Sequence, residues 1–346
     1  MIQKLLRLAA LAIFLGLAGC VALPSHVASE FEDARPGEAN IYASVKQSAP
    51  SPAAAARGTP RATAPSKVTL VSGQILVRDD GDPISLWVSL FAGEFMPWTH
   101  VGIISVEADD VYVYDTRGGL PPVAGVVPTL LSGMRRTPYE QYVSSAKVFG
   151  IYAPPPAADA GKIAAYAREH FARGTPFDSY FDNTDANALY CSELVAAAVQ
   201  AAGAAPIQQA PVRVNRSYNV IREWLQQRAS GFFLPAHFAD PTRKIALWST
   251  ALSPAQIEAQ FEARHELAQR FTASTRLGHL FRWTGATLAL REAPQQFMDS
   301  TSAAFASGAT SADDTESVRR EVRRLAALHF SERPGSATAL APANAR

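Results

Sequence analysis

Cysteine is nearly missing from this 346-residue chain, which has two, Cys20 and Cys191. No disulfide framework is available, and if one thiol is consumed elsewhere the other is left alone. An excess of either charge is missing as well: 32 Lys and Arg stand against 31 Asp and Glu, a formal net charge of +1. A nucleic-acid binder would carry a basic patch or stripe, so no nucleic-acid partner is expected. The seven histidines show no metal-ligand spacing, and His265 and His279 read as solvated helix residues. Neither a metal nor an organic cofactor is called for. The apolar run from Leu8 to Leu17 falls short of the ~20 residues that span a membrane.

What stands at the N-terminus instead is an export leader: Lys4 and Arg7, the apolar run, then small residues. Leu17-Ala18-Gly19-Cys20 looks like a bacterial lipobox, in which Cys20 is diacylated and the peptide is cut just before it. The alternative is a plain secretory signal with a chance cysteine. Each buried methylene of an acyl chain adds about 0.8 kcal/mol, so several chains on one cysteine make a firm membrane anchor. Val21 rather than Asp follows, which in Gram-negative lipoproteins favours the outer membrane. The expected location is therefore the cell envelope, on the periplasmic face of that membrane. Cys191 is then a lone thiol in an oxidising compartment, either buried and inert or kept for chemistry.

Residues 21–66, with runs such as SAPSPAAAARGTPRATAPS, read as an extended and largely disordered tether that lets an anchored domain reach away from the lipid. The folded part begins near Lys67. KVTLVSGQILVR, THVGIIS, DDVYVYDTR and KVFGIYAP read as short strands, and DPISLWVSLFAGE as a helix with Ile84, Trp87, Val88 and Phe91 on one face. A longer helix follows, with Asp159 as N-cap, Ile163, Tyr166, Ala167 and Phe171 inward, and Gly174 as its stop. Another runs from about Leu189 to Ala202, ended by Gly203. Strands and helices alternate without a sustained βαβ rhythm, which predicts an α+β domain over 67–241 with a mainly antiparallel sheet packed on helices. A helical extension is expected over 242–333, with Ser253 as N-cap and Pro254 at the first position of one helix, and further helices near 276–291 and 313–330. Residues 334–346 read as a disordered tail.

Two short stretches carry the chemistry. Cys191 falls in the first turn of its helix, where unpaired N–H groups and the helix dipole favour a thiolate. His100 starts a buried strand, and Gly102 allows something to approach that strand closely. An imidazole that takes the thiol proton and later returns one to a leaving group completes what a cysteine nucleophile needs.

In order, GQILVR, THVGII, VYVYDTRGG, GTPFDSYFD and LYCSELV, from Gly73 to Val199, resemble the YiiX-like, circularly permuted branch of the NlpC-type papain-fold superfamily. Its members show a His-x-Gly strand and a Tyr-Cys-Ser/Thr-Glu helix start. The resemblance implies a permuted papain-like domain in which the histidine precedes the cysteine, a reversal that spatial catalytic constellations tolerate. It also implies a polar third residue on the strand after the histidine, here Asp115, with Asp178 as rival. Tyr190 is a candidate for the oxyanion or substrate site, with core packing as the alternative. Glu193 is expected to serve the scaffold. Gln74 departs from the family, many of whose members carry Asp there.

The expected activity is a cysteine hydrolase that cleaves an amide, with peptidoglycan stem peptides as the substrate the resemblance and envelope location imply. Two alternatives stand. One is an acyl hydrolase or acyltransferase acting on lipid through a groove lined by Trp87, Phe91, Phe95 and Trp98. The other is a non-catalytic envelope scaffold whose residues 253–330 bind a protein partner.

Overall fold

In the computed structural model, residues 25–32, 68–81, 83–118, 133–212, 216–224, 226–228, 230–271, 277–283, 288–306 and 315–330 are described. The elements in chain order begin with a short helix α1 (Ser25–Ala28), then β1 (Ile75–Asp79), α2 (Ile84–Ala92), β2 (His100–Glu107) and β3 (Asp110–Arg117). Next come β4 (Gly133–Pro138), α3 (Tyr139–Ser144), β5 (Val148–Tyr152), α4 (Ala160–Arg173) and α5 (Cys191–Ala201). The chain continues through β6 (Ala210–Pro211), α6 (Arg216–Trp224), β7 (Gly231–Phe232) and β8 (Lys244–Ser249). It closes with α7 (Pro254–Phe271), β9 (Phe281–Trp283), β10 (Leu288–Leu290), α8 (Glu292–Ala306) and α9 (Thr315–His329).

Six strands form one antiparallel sheet in the order β4-β3-β2-β1-β5-β8. Because side chains alternate faces along a strand, β2 sends Val101 and Ile103 into one core and Ile104 into another. The first core is closed by α4 and α5, through Ile163, Ala167, Leu194, Val195 and Val199. The second is closed by α3, through Tyr142 and Val143. Both faces being covered, β1 and β5 are buried along their whole length, which accounts for the apolar residues 75–77 and 148–152, while Arg78 and Asp79 at the end of β1 are buried against charged partners. Asp159 caps α4 by accepting the Lys162 N–H at 3.1 Å, and Gly174 ends it at φ +67°, as expected. Phe171 departs from expectation: it is 40% exposed and lies edge-on to Tyr114.

A third core lies among the helices. It gathers Leu86, Leu90 and Phe91 of α2, Tyr218 and Ile221 of α6, and buried residues of α7, α8 and α9. Three expectations are corrected here. The division at 241/242 cuts the sheet, whose edge strand β8 lies at 244–249 against β5. The helices after it share a core with α2, so they are a layer of the same body. Residues 25–32 do not belong to an extended tether: Val27 and Phe31 are buried in this core, and Phe31 stacks on Trp87 at 5.9 Å.

Where a helix was expected over 276–291, the chain forms a turn at 277–279 and the β9–β10 hairpin; the helix comes later, over 292–306, with Pro294 in its first turn. Proline is tolerated there because the first N–H groups have no intrahelical partner. His279 is buried rather than solvated, and His265 is half-exposed and stacked on Phe95 at 4.8 Å. Ser253 and Gln256 cap α7 reciprocally, each backbone N–H donating to the other's side chain, at 3.0 and 3.3 Å. Cys20 and residues 334–346 lie outside the described residues.

Candidate active site

β2 begins with His100, and α5 begins with Cys191; the fold brings these two starts together over one end of the sheet. The imidazole and the thiol lie close enough for the charge of each to act on the other. On its other side, His100 Nε2 lies 2.7 Å from Asp115 Oδ2 on the neighbouring strand β3. With Nε2 given to Asp115, Nδ1 is the nitrogen left for the thiol. Asp115 is wholly buried and also accepts from Arg117 Nε at 2.7 Å. The three residues expected to act together therefore stand in a chain, thiol to imidazole to carboxylate.

Electrostatics favour the charged pair. Burial works against an imidazolium, but the Cys191 charge and the Asp115 hydrogen bond outweigh it and lift His100 to about 9. Burial also works against a thiolate, yet the His100 charge, the Ser192 hydroxyl and the Val101 N–H bring Cys191 below its ordinary value. Asp115 is likewise held below the usual carboxylate value despite burial, by His100 and then Arg117. The helix start adds to this, because the backbone N–H of Cys191 has no intrahelical acceptor and is available to a developing oxyanion.

Gly102 is what lets Asp115 come so close. A Cβ there would lie 2.7 Å from Val113 Cγ1, 3.0 Å from the Tyr114 carbonyl and 3.4 Å from Asp115 Cβ. Gly102→Ala should push β3 away from His100, costing about 1–3 kcal/mol as overpacking does. Chemical denaturation would measure that loss, and slower alkylation of Cys191 at neutral pH would report the displaced carboxylate. Unchanged stability and unchanged alkylation would contradict the close fit.

Other expected residues take different places. The Tyr190 hydroxyl gives its one proton to Asn183 Oδ1 at 2.9 Å and accepts the Phe233 N–H at 2.8 Å. Its side chain is 3% exposed and tied to two loops, so the oxyanion role expected of it is corrected: it holds the start of α5 in place. Glu193 accepts the Tyr190 N–H at 3.3 Å, a scaffold role, and burial beside Asp178, Asp185 and Asp182 pushes it up to about 8. Asp178 accepts the backbone N–H groups of Tyr180 and Asp182 and so caps its own loop. Gln74 closes the turn before β1, accepting the Val71 N–H at 3.0 Å. Phe91 and Trp98 are buried, Trp87 is stacked between Phe31 and Phe91, and Phe95 packs on His265. Phe91 and Trp98 are core, and Trp87 and Phe95 are partly buried and pack against it.

Sequence reading missed the cationic shell behind Asp115. Arg117 and Arg78 place their guanidinium carbons 5.1 and 4.8 Å from the Tyr142 ring centroid, and that ring lies 6.4 Å from His100. Arg117 was legible, two residues after Asp115 on the same strand face. Tyr142 was not, since nothing local in YEQYVS points to a strand more than forty residues earlier.

No known family model matches this chain, and no curated protein does. Among solved structures it is similar to one described as metalloprotein yiiX from Escherichia coli O157:H7, at 16% identity and a TM-score of 0.38. The match covers 53% of this chain and 97% of that one. The likeness is too distant to assign a chemistry. That neighbour's description names a metal; among the described residues here, no three His, Cys, Asp or Glu side chains are grouped to hold one. Nor is any described helix long and apolar enough to cross a membrane.

Proposed function

We propose that this chain is an envelope-anchored cysteine hydrolase of permuted papain-like architecture, with Cys191 as nucleophile, His100 as acid and base, and Asp115 orienting the imidazole. The observation that carries the reading is the His100 Nε2 to Asp115 Oδ2 contact at 2.7 Å beside a thiol at a helix start. The Cys191 thiolate attacks an amide carbonyl, and the oxyanion forms near the Cys191 N–H. The C–N bond then breaks, the His100 imidazolium gives its proton to the departing amine, and a thioester to Cys191 remains. Water attacks the thioester while His100 takes its proton, and the carboxylate product leaves with the thiol restored.

The substrate proposed is a peptidoglycan stem peptide, in keeping with the leader and Cys20 lipobox. Ester cleavage or acyl transfer would use the same site, but Phe91 and Trp98, two of the four aromatics that would have lined an acyl groove, are buried in the cores.

Intact-mass measurement after brief exposure to muropeptides, and separately to phospholipids, tests this, with Cys191→Ala as control. The chain used should begin before Ser25, because 25–32 is part of the helical core. A peptidyl adduct that depends on Cys191 is the expected result, and a fatty-acyl adduct would replace the substrate. No adduct from either, with Cys191 inert to iodoacetamide at neutral pH, would remove the nucleophile.

A further inference from the structure

We infer that the edge of the helical layer built by α1, α6 and the β9–β10 hairpin is the face that lies against a lipid surface. This rests on the proposed lipidation of Cys20 and not on the hydrolase chemistry. Only residues 21–24 separate Cys20 from Ser25, where the described chain begins its docking. A chain spans at most about 3.6 Å per residue, so the lipidated cysteine lies within ~18 Å of Ser25 in any conformation.

The docking is deep. Val27 and Phe31 are buried among the helices, with Phe31 close to both Trp87 and Trp283. Ser217 of α6 donates to the buried Glu30 carboxylate. Arg291, just after β10, bonds to the Phe31 carbonyl at 2.6 Å and to the Gly278 carbonyl at 2.8 Å. Gly278 itself lies so close beneath this segment that a Cβ there would sit 2.3 Å from the Glu32 carbonyl. Ser25 and His26 are exposed at the leading end.

The anchor therefore enters at this edge, and the long Ala-, Pro- and Ser-rich stretch gives the domain no reach. That stretch joins two docked segments, since Val68 and Leu70 after it pack on the α3 side of the sheet. The partner is a bilayer headgroup surface, met within a few residues of the fold.

The test uses the full lipidated chain, carrying Cys191→Ala and a fluorophore attached through Arg282→Cys, an exposed site on β9. It is reconstituted in phosphatidylethanolamine and phosphatidylglycerol vesicles containing a headgroup nitroxide lipid. Mass spectrometry of the N-terminal peptide first establishes whether Cys20 carries acyl chains. With acyl chains present, the label is expected to be quenched, and inserting about twelve Gly/Ser residues after Pro24 should reduce the quenching several-fold, as a flexible linker frees the domain. A label at Glu140→Cys on α3 should be quenched less. Acylated protein with no quenching at position 282, or quenching that the insertion leaves unchanged, would overturn the assigned face. An unacylated Cys20 would overturn the premise instead, leaving Cys191 chemistry untouched.

Discussion

Asp115→Asn is expected to slow thioester formation by about three to four orders of magnitude, the size of loss seen when a triad carboxylate is replaced by its amide. The carboxylate makes His100 Nε2 the protonated nitrogen, which leaves Nδ1 to receive the thiol proton. An amide NH2 in that place reverses the tautomer, and Nδ1 then carries a hydrogen toward the thiol. The charge effect runs the same way. With the Asp115 hydrogen bond and charge gone, the His100 value falls from about 9, and the thiol climbs back toward its ordinary value. The pH profile of iodoacetamide alkylation reads this directly: the wild-type inflection lies below the ordinary thiol value, and the variant's lies above the wild type's. A variant that alkylates and turns over like the wild type would show that Asp115 does not orient His100.

The same shift has a stability side. His100 is raised on folding from 6.5 to about 9, so its contribution is fully present below about pH 6.5 and is lost as pH rises through about 9. The Asn variant should lose part of that dependence on the alkaline side, where wild-type unfolding midpoints decline, and keep the part that the Cys191 charge supplies.

Arg264→Met is expected to cost about 3–5 kcal/mol, because it leaves a buried carboxylate without its counter-charge. Arg264 Nη1 of α7 lies 2.8 Å from Asp79 Oδ2 at the end of β1, and both side chains are nearly or wholly inaccessible. The same nitrogen reaches the Pro97 carbonyl at 3.3 Å, in the segment leading to His100. Removing both charges with Asp79→Asn and Arg264→Met should recover much of the loss, since the penalty arises from the unpaired ion rather than from the missing attraction. Guanidinium unfolding measures all three, and one transition is expected, because the pair joins the helical layer to the sheet. Two separated transitions would show that the layers unfold independently.

The site was more legible in the sequence than its surroundings were. His100 and Cys191 stood out through local pattern, a buried strand and a helix start, and the family resemblance pointed to Asp115 on the next strand. The misreadings share a physical cause. Val27 and Phe31 are two apolar residues in a short segment, and their partners, Trp87 and residues 277–283, lie far along the chain. Local composition said tether; long-range packing decided otherwise. The aromatics at 87–98 look equally like groove or core until the segment that covers Trp87 is seen. Tyr190 reads as a free donor until Asn183 and Phe233 claim its hydroxyl. In 276–306, a helical apolar pattern preceded a Ser-, Ala- and Thr-rich stretch, yet the hairpin took the first and the helix took the second.

With the proposed lipid anchor at Cys20, the docking of residues 25–32 has a consequence for release of the protein from that anchor. A protease that cut the chain anywhere between 33 and 67 would sever the covalent link between that proposed anchor and the sheet without releasing the domain. The short N-terminal fragment, held by Phe31, Glu30 and the Arg291 bonds, would persist as a second subunit. Shedding would require unfolding of the helical layer, and the domain would stay joined to its N-terminal fragment as a nicked two-chain species.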